Sequence, residues 1–128
     1  QLIEIDILLK KTEKLKTDII PILESINGLA NLEEICSFSE RIKIISFGSH
    51  DLAKSINLKI SEDEKEILEF RKNIVNKSKN IKSPIDTSFL NFKDLNGFEK
   101  SCNFVKKLGF GGKACIHPDQ VQISNKIF

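Results

Sequence analysis

Four side chains stand where a parallel α/β protein keeps its chemistry. Glu24 and Asp51 each follow a short apolar run, Asp86 falls within a third, and His117 closes a fourth. Functional groups in such proteins gather at the C-terminal ends of the strands. Each residue alone says little, because a polar group at a strand end often caps a helix or meets water. Glu24 and Asp51 say more as a pair. Adjacent parallel strands hold their ends roughly 5 Å apart, and two carboxylates that close repel unless a cation sits between them. Oxygen ligands from few residues suit Mg²⁺, with Mn²⁺ as its substitute, because such an ion keeps waters and leaves positions for substrate oxygens. An ion so placed polarises a carbonyl or stabilises an enolate. The competing reading has one carboxylate capping the next helix and the other in solvent.

Asp86, in Pro84-Ile-Asp-Thr-Ser-Phe89, is a candidate for the substrate site. It reads equally well as a residue that holds a neighbouring loop by hydrogen bonds. His117 precedes Pro118 and Asp119 and is the other substrate-site candidate; a structural hydrogen-bond role in a tight turn competes with it. His50 could orient Asp51, but the simpler expectation is that it faces water. The run Gly109-Phe-Gly-Gly-Lys113 could approach an anion, although a tight helix-to-strand turn accounts for it with less. No Ser–His–Asp spacing is legible. Cys36, Cys102 and Cys115 are too far apart for a zinc cluster and odd in number, which speaks against a disulfide framework.

The elements that must position these residues follow from periodicity. Residues 1–16 place Leu2, Ile5, Leu8, Leu9 and Leu15 on one helical face. A strand is expected over 19–23, with Pro21 near its start. Helical spacing of Leu29, Leu32, Ile35 and Phe38 follows, with Asn31 and Glu34 as a capping pair. A second strand spans 42–47 and ends at Gly48, and a polar stretch runs to Ile60. The capping box Ser61–Glu64 opens a helix with Ile67, Phe70 or Arg71, Ile74 and Val75 inward. A third strand covers 84–89. Phe98, Cys102, Val105 and Leu108 form a helical stripe that Gly109 ends in the left-handed conformation. A short strand over 113–116 leads to a last helix with Pro118 at its first position. Strands alternating with helices imply right-handed crossovers and a parallel sheet. Four such units are half of an eight-unit barrel, which needs about 250 residues. The fold class is therefore α/β, a partial (β/α)₈ barrel, with residues 1–128 as one half-barrel domain.

The 128 residues suit one globular domain, 40% hydrophobic and 30% charged. A net charge of +2 is too mild to argue for nucleic acid, and the lysines lie among glutamates as a solvated surface. No signal peptide or spanning segment is legible, so a reducing cytoplasm is the default compartment. The sequence opens at Gln1 inside a helical pattern, which reads as part of a longer or processed chain.

Four segments together resemble the citrate lyase β-subunit-like family of the HpcH/HpaI aldolase superfamily, which includes malyl-CoA lyases. Ile20-Pro-Ile-Leu-Glu-Ser-Ile-Asn-Gly-Leu29 is similar to the segment with the family's first metal-binding glutamate. Ser46-Phe-Gly-Ser-His-Asp-Leu-Ala53 is similar to the segment with its second metal ligand. Pro84–Phe89 resembles the seventh barrel strand. Gly109-Phe-Gly-Gly-Lys-Ala-Cys-Ile-His-Pro-Asp-Gln120 resembles the eighth strand and an Ile-His-Pro-x-Gln signature. The resemblance implies strands five to eight of a (β/α)₈ barrel, an enzyme that makes or cleaves a carbon–carbon bond beside a citryl- or malyl-type thioester, and Mg²⁺ on Glu24 and Asp51. Its partners would be an acyl-CoA or acyl-carrier-protein thioester and a keto acid, together with a homo-oligomer or a complementary N-terminal half. The family's substrate-binding arginine belongs to that other half, an acidic residue some members borrow from a neighbouring subunit lies beyond Phe128, and Gly111 stands where an aspartate is common. The alternative is a non-catalytic truncated or split barrel module that works only by assembly.

Overall fold

The computed structural model describes residues 1–12, 17–78 and 84–128. In chain order they form α1 (Leu2–Thr12), β1 (Ile22–Leu23), α2 (Ile26–Ala30), α3 (Leu32–Ser37), β2 (Ser46–Phe47) and α4 (Ser49–Ser55). A 3₁₀ turn over Lys65–Ile67 leads into α5 (Leu68–Lys77), then β3 (Ile85–Asp86), α6 (Leu95–Leu108), β4 (Gly112–Lys113) and α7 (Pro118–Ile127). Leu15, expected on the first helical face, lies outside the described residues.

The strands form one parallel sheet in the order β1-β2-β3-β4, the succession that βα units joined by right-handed crossovers produce. Leu23 pairs with Phe47, and Asp86 with Lys113. Side chains alternate between faces of a strand. One row across the sheet is therefore Leu23, Phe47, Asp86 and Lys113, and all four are buried. Leu23 and Phe47 pack there with Leu29, Leu32, Leu52, Ile67, Ile74 and Val105, so this face carries the helices. The opposite row is Ile22, Ser46, Ile85 and Gly112. It stays open: Ile22 is 58% exposed and the others are half-buried. Ile20, in step with Ile22, is exposed as well. Pro21 stands just before β1, and its carbonyl accepts from the Ser46 N–H at 2.9 Å; lacking an N–H on that same side, it can add no ladder bond of its own, and the regular pairing starts at Ile22.

The helix ends follow local chemistry. Ser25 caps α2 through the Gly28 N–H, and Asp94 caps α6 through the Gly97 N–H. Gly109 ends α6 at φ 113°, and a side chain there would also meet Val75 Cγ1 at 2.8 Å. Pro118 opens α7 as expected.

Four expectations are corrected. The helical run from Leu29 is split at Asn31, whose side chain makes no capping bond. The stretch after Gly48 is not all loop, because α4 buries Leu52 and Ala53. At Ser61 the reciprocal partner is Glu66, not Glu64: Glu66 Oε2 accepts from the Ser61 N–H at 3.0 Å. That bond, with one from the Ser61 hydroxyl, holds the Glu66 carboxyl below its ordinary range. Glu64 instead takes the left-handed conformation at φ 52°. In α1, finally, Ile5 and Leu8 are exposed and the buried residue is Asp6. It pairs with Arg41 Nε at 3.0 Å and Lys10 Nζ at 2.7 Å. The helix is apolar on nearly every side, and such a helix calls for neighbours on more than one. No described helix is long and apolar enough to cross a membrane.

Candidate functional site

Glu24 leaves β1 one residue beyond Leu23, whose carbonyl accepts the Gly48 N–H at 2.9 Å. This register sets Glu24 against Gly48. In step with Ile22, it belongs to the open face of the sheet. Gly48 is what makes room for it, since a Cβ there would lie 2.6 Å from Glu24 Cγ and 3.2 Å from Ile22 Cγ2. Asp51 lies in the first turn of α4, three residues past that glycine. Both side chains are exposed, and among the described residues neither carboxylate makes a hydrogen bond or ion pair. The sheet thus brings Glu24 to the turn that carries Asp51. No three His, Cys, Asp or Glu side chains form a metal cage among the described residues. The donor set is two carboxylates, which suits a hard cation that keeps waters.

Asp86 stands apart from this pair. It points into the helix layer and is fully buried. Arg71 Nε and Nη2 each donate to its carboxylate at 2.9 Å, and Lys113 Nζ donates at 2.6 Å. Arg71 Nη2 also reaches Glu64 Oε2 at 2.6 Å. Two acids and two bases cancel, as a buried cluster requires. Burial works to depress the Arg71 guanidinium, but Asp86 and Glu64 outweigh it and hold its pKa above the ordinary value. Asp86 therefore ties the loop before the 3₁₀ turn to β3 through Arg71. Lys113, the last residue of the glycine-rich run, is committed to this cluster rather than to a free anion. The cluster has a trace in the sequence: Arg71 fell on the apolar stripe of α5, and a cation at a core position needs a buried partner.

His117 caps α7. Its Nδ1 accepts from the Asp119 N–H at 3.3 Å, and its ring stacks on Phe92 at 5.0 Å. Nearby, Gln120 is fully buried and bridges two loops, accepting from the Ile116 N–H and donating to the Phe89 carbonyl. The Ile-His-Pro-x-Gln segment thus builds the turn after β4. His50 does not simply face water: its Nε2 lies 3.2 Å from the Ser88 carbonyl, which can only accept, so Nε2 carries the proton.

A cleft of about 620 Å³ opens between the 60–64 loop, the segment after β3 and α6. His50, Glu64, Arg71, Phe89, Lys100 and Ser101 are among its lining, whereas Glu24 and Asp51 are not. The Ser101 hydroxyl there is buried without a partner among the described residues.

The HpcH/HpaI aldolase/citrate lyase family model matches residues 4–118. Citrate lyase subunit beta of Leuconostoc mesenteroides subsp. cremoris is 29% identical over 113 residues, 88% of this chain and 37% of that protein. The mitochondrial citramalyl-CoA lyase of Rattus norvegicus is 30% identical over 122 residues, covering 87% of this chain and 36% of its own. Among solved structures, RipC from Yersinia pestis shares a TM-score of 0.85 and 26% identity over 98% of this chain and 58% of that one. The citrate lyase beta subunit from M. tuberculosis complexed with oxaloacetate and magnesium has a TM-score of 0.75 at 21% identity over 86% of this chain and 52% of its own. The chain spans a little over a third of the length of these curated relatives, and about half of these solved chains.

Proposed function

The chain belongs to the HpcH/HpaI aldolase/citrate lyase family, and on that premise we propose that it supplies the metal-binding half of a lyase barrel. The reaction is cleavage or formation of a carbon–carbon bond beside a citryl- or malyl-type acyl thioester, on coenzyme A or a carrier protein, with a keto acid as the other component. Strands β1 to β4 take the places of strands five to eight. The observation that carries the reading is the meeting of Glu24 with the Gly48–Asp51 turn at the ends of adjacent parallel strands, with a glycine where any side chain would displace the glutamate.

Glu24 and Asp51 would hold Mg²⁺ or Mn²⁺. A cation bound there supplies Lewis-acid stabilisation of charge developing on a carbonyl oxygen. The chain's own residues do the rest. Gly48 leaves the space that the Glu24 side chain occupies, and the two carboxylates would supply oxygen ligands to the ion. The relative from M. tuberculosis, solved with oxaloacetate and magnesium, supports this choice of ion and keto acid. His117 and Asp86 take part as supports: His117 shapes the loop after β4, and Asp86 fixes the one before α5.

Assembly is part of the proposal. A row containing Ile22 at 58% exposure, with both sheet edges unpaired among the described residues, calls for a covering partner, either a complementary N-terminal half or a second copy. This observation also favours the second reading, a module that functions only once assembled. Sedimentation at micromolar concentration should show association, and a stable monomer would count against both. Calorimetric titration with Mg²⁺ tests the site itself. Heat of binding should vanish in the Glu24→Ala/Asp51→Ala variant; unchanged binding there would sink the assignment.

A further inference from the structure

We propose that Thr87 and Ser88, just past β3, set the pose of the Asp51 carboxylate, with Thr87 and His50 as positioning residues for it. The proposal rests on the reading of Asp51 as a metal ligand. Helix α4 has only seven residues, and its N-cap, Gly48, offers no side-chain bond. A helix that short does not hold itself in water. Its first turn is instead fastened sideways to the neighbouring strand. The Ser49 hydroxyl donates to Thr87 Oγ1 at 3.0 Å, the Ser49 N–H aims at the same oxygen at 3.4 Å, and His50 Nε2 donates to the Ser88 carbonyl at 3.2 Å.

These bonds are formed where they count most. Ser49 is fully buried and Thr87 is 3% exposed. Removing the Thr87 oxygen strands two buried donors, which costs more than the bonds themselves contribute. The anchor is itself fixed, because Asp86, the preceding residue, is held by Arg71 and Lys113. Asp51 follows His50 directly, so the fastened turn sets the direction of its Cα–Cβ bond. The two carboxylates are thus placed by separate devices. Glu24 is set by the β1–β2 register and the space at Gly48, whereas Asp51 is set from β3 through Thr87 and Ser88.

The test is Thr87→Val, which keeps the volume and deletes the hydroxyl, with Thr87→Ser as the restoring variant, in the full chain. Two readouts are taken: Mn²⁺ affinity from the free-ion electron paramagnetic resonance signal, and hydrogen exchange at the Leu52 amide. That amide donates to the Gly48 carbonyl at 3.2 Å and so reports the first turn of α4. Thr87→Val should weaken Mn²⁺ binding about tenfold, the usual effect of losing a group that orients a metal ligand. Leu52 exchange should rise by a similar factor while α6 and α7 keep theirs, and Thr87→Ser should restore both. Equal affinity and equal Leu52 exchange in wild type and Thr87→Val overturn the proposal. So does a uniform rise across all helices that Thr87→Ser fails to reverse. A local rise at Leu52, restored by serine, with Mn²⁺ binding indifferent to Asp51→Ala, upholds the coupling and overturns the metal reading instead.

Discussion

Two acidic centres are built around one sheet, and they differ in who satisfies them. Asp86 and Glu64 are answered within the protein by Arg71 and Lys113. Glu24 and Asp51 have no partner among the described residues and stand at an open strand end. A buried carboxylate without cations would be too costly to keep, so the first centre holds structure together. An exposed pair costs little to leave unanswered, so the second remains available to an external cation. For the member of each centre that a strand carries, the difference follows from alternation: Asp86 is in the row that faces the helices, and Glu24 is in step with the row that does not.

The comparison breaks most readily at the buried centre. Asp86→Ala leaves Arg71 and Lys113 as buried cations, and urea unfolding should show a loss of about 3–5 kcal/mol. A loss no larger than that of a surface substitution would mean the cluster does not hold the fold. Next comes Gly48→Ala. Its Cβ would meet Glu24 Cγ at 2.6 Å; because Glu24 is exposed and can swing aside, the loss of stability should stay within about 1 kcal/mol, and the displaced carboxylate should bind Mn²⁺ more weakly. Glu24→Ala should by contrast move stability by no more than about 0.5 kcal/mol while abolishing metal binding, the inverse of the Asp86 result.

The smallest effect is in pH. Cys102, fully buried on the helix face, has its thiol pushed up to about 11 by burial, with the nearby Lys113 charge opposing the rise. Folding thus favours the neutral thiol. That contribution is whole below the ordinary value of 9.0 and fades as pH climbs toward about 11. Comparing urea midpoints of wild type and Cys102→Ala at pH 8 and pH 10.5 isolates it: the gap between the two proteins should narrow at the higher pH.

Much of this arrangement is legible in the sequence, and the failures have physical causes. The strands form within or beside the expected runs, because the residues that pack on the helix layer leave short, largely apolar stretches bounded by turns. β4 begins at Gly112, one residue earlier than expected, since a glycine opposite Ile85 carries no strand signal. Gly109 and Pro118 act as their chemistry predicts. Helix α4 escapes notice because seven residues with Leu52 and Ala53 adjacent show no full period. The α1 stripe misleads because isoleucines and leucines surround that helix. Glu24 and Asp51 can be picked out by position and resemblance. The Asp86 cluster shows only in Arg71 at a core position of its helix; which partners it meets does not, since Lys113 reaches Asp86 through the sheet register and Arg71 through the packing of α5.

The central claim is that the open carboxylate pair binds a divalent cation and the buried cluster does not. Urea unfolding with and without Mn²⁺ tests it most directly. At a hundred times its dissociation constant, an ion that binds the folded chain at one site adds about 2.7 kcal/mol. Wild type should gain that amount, and the Glu24→Ala/Asp51→Ala variant should gain nothing. An equal gain in both proteins would contradict the account.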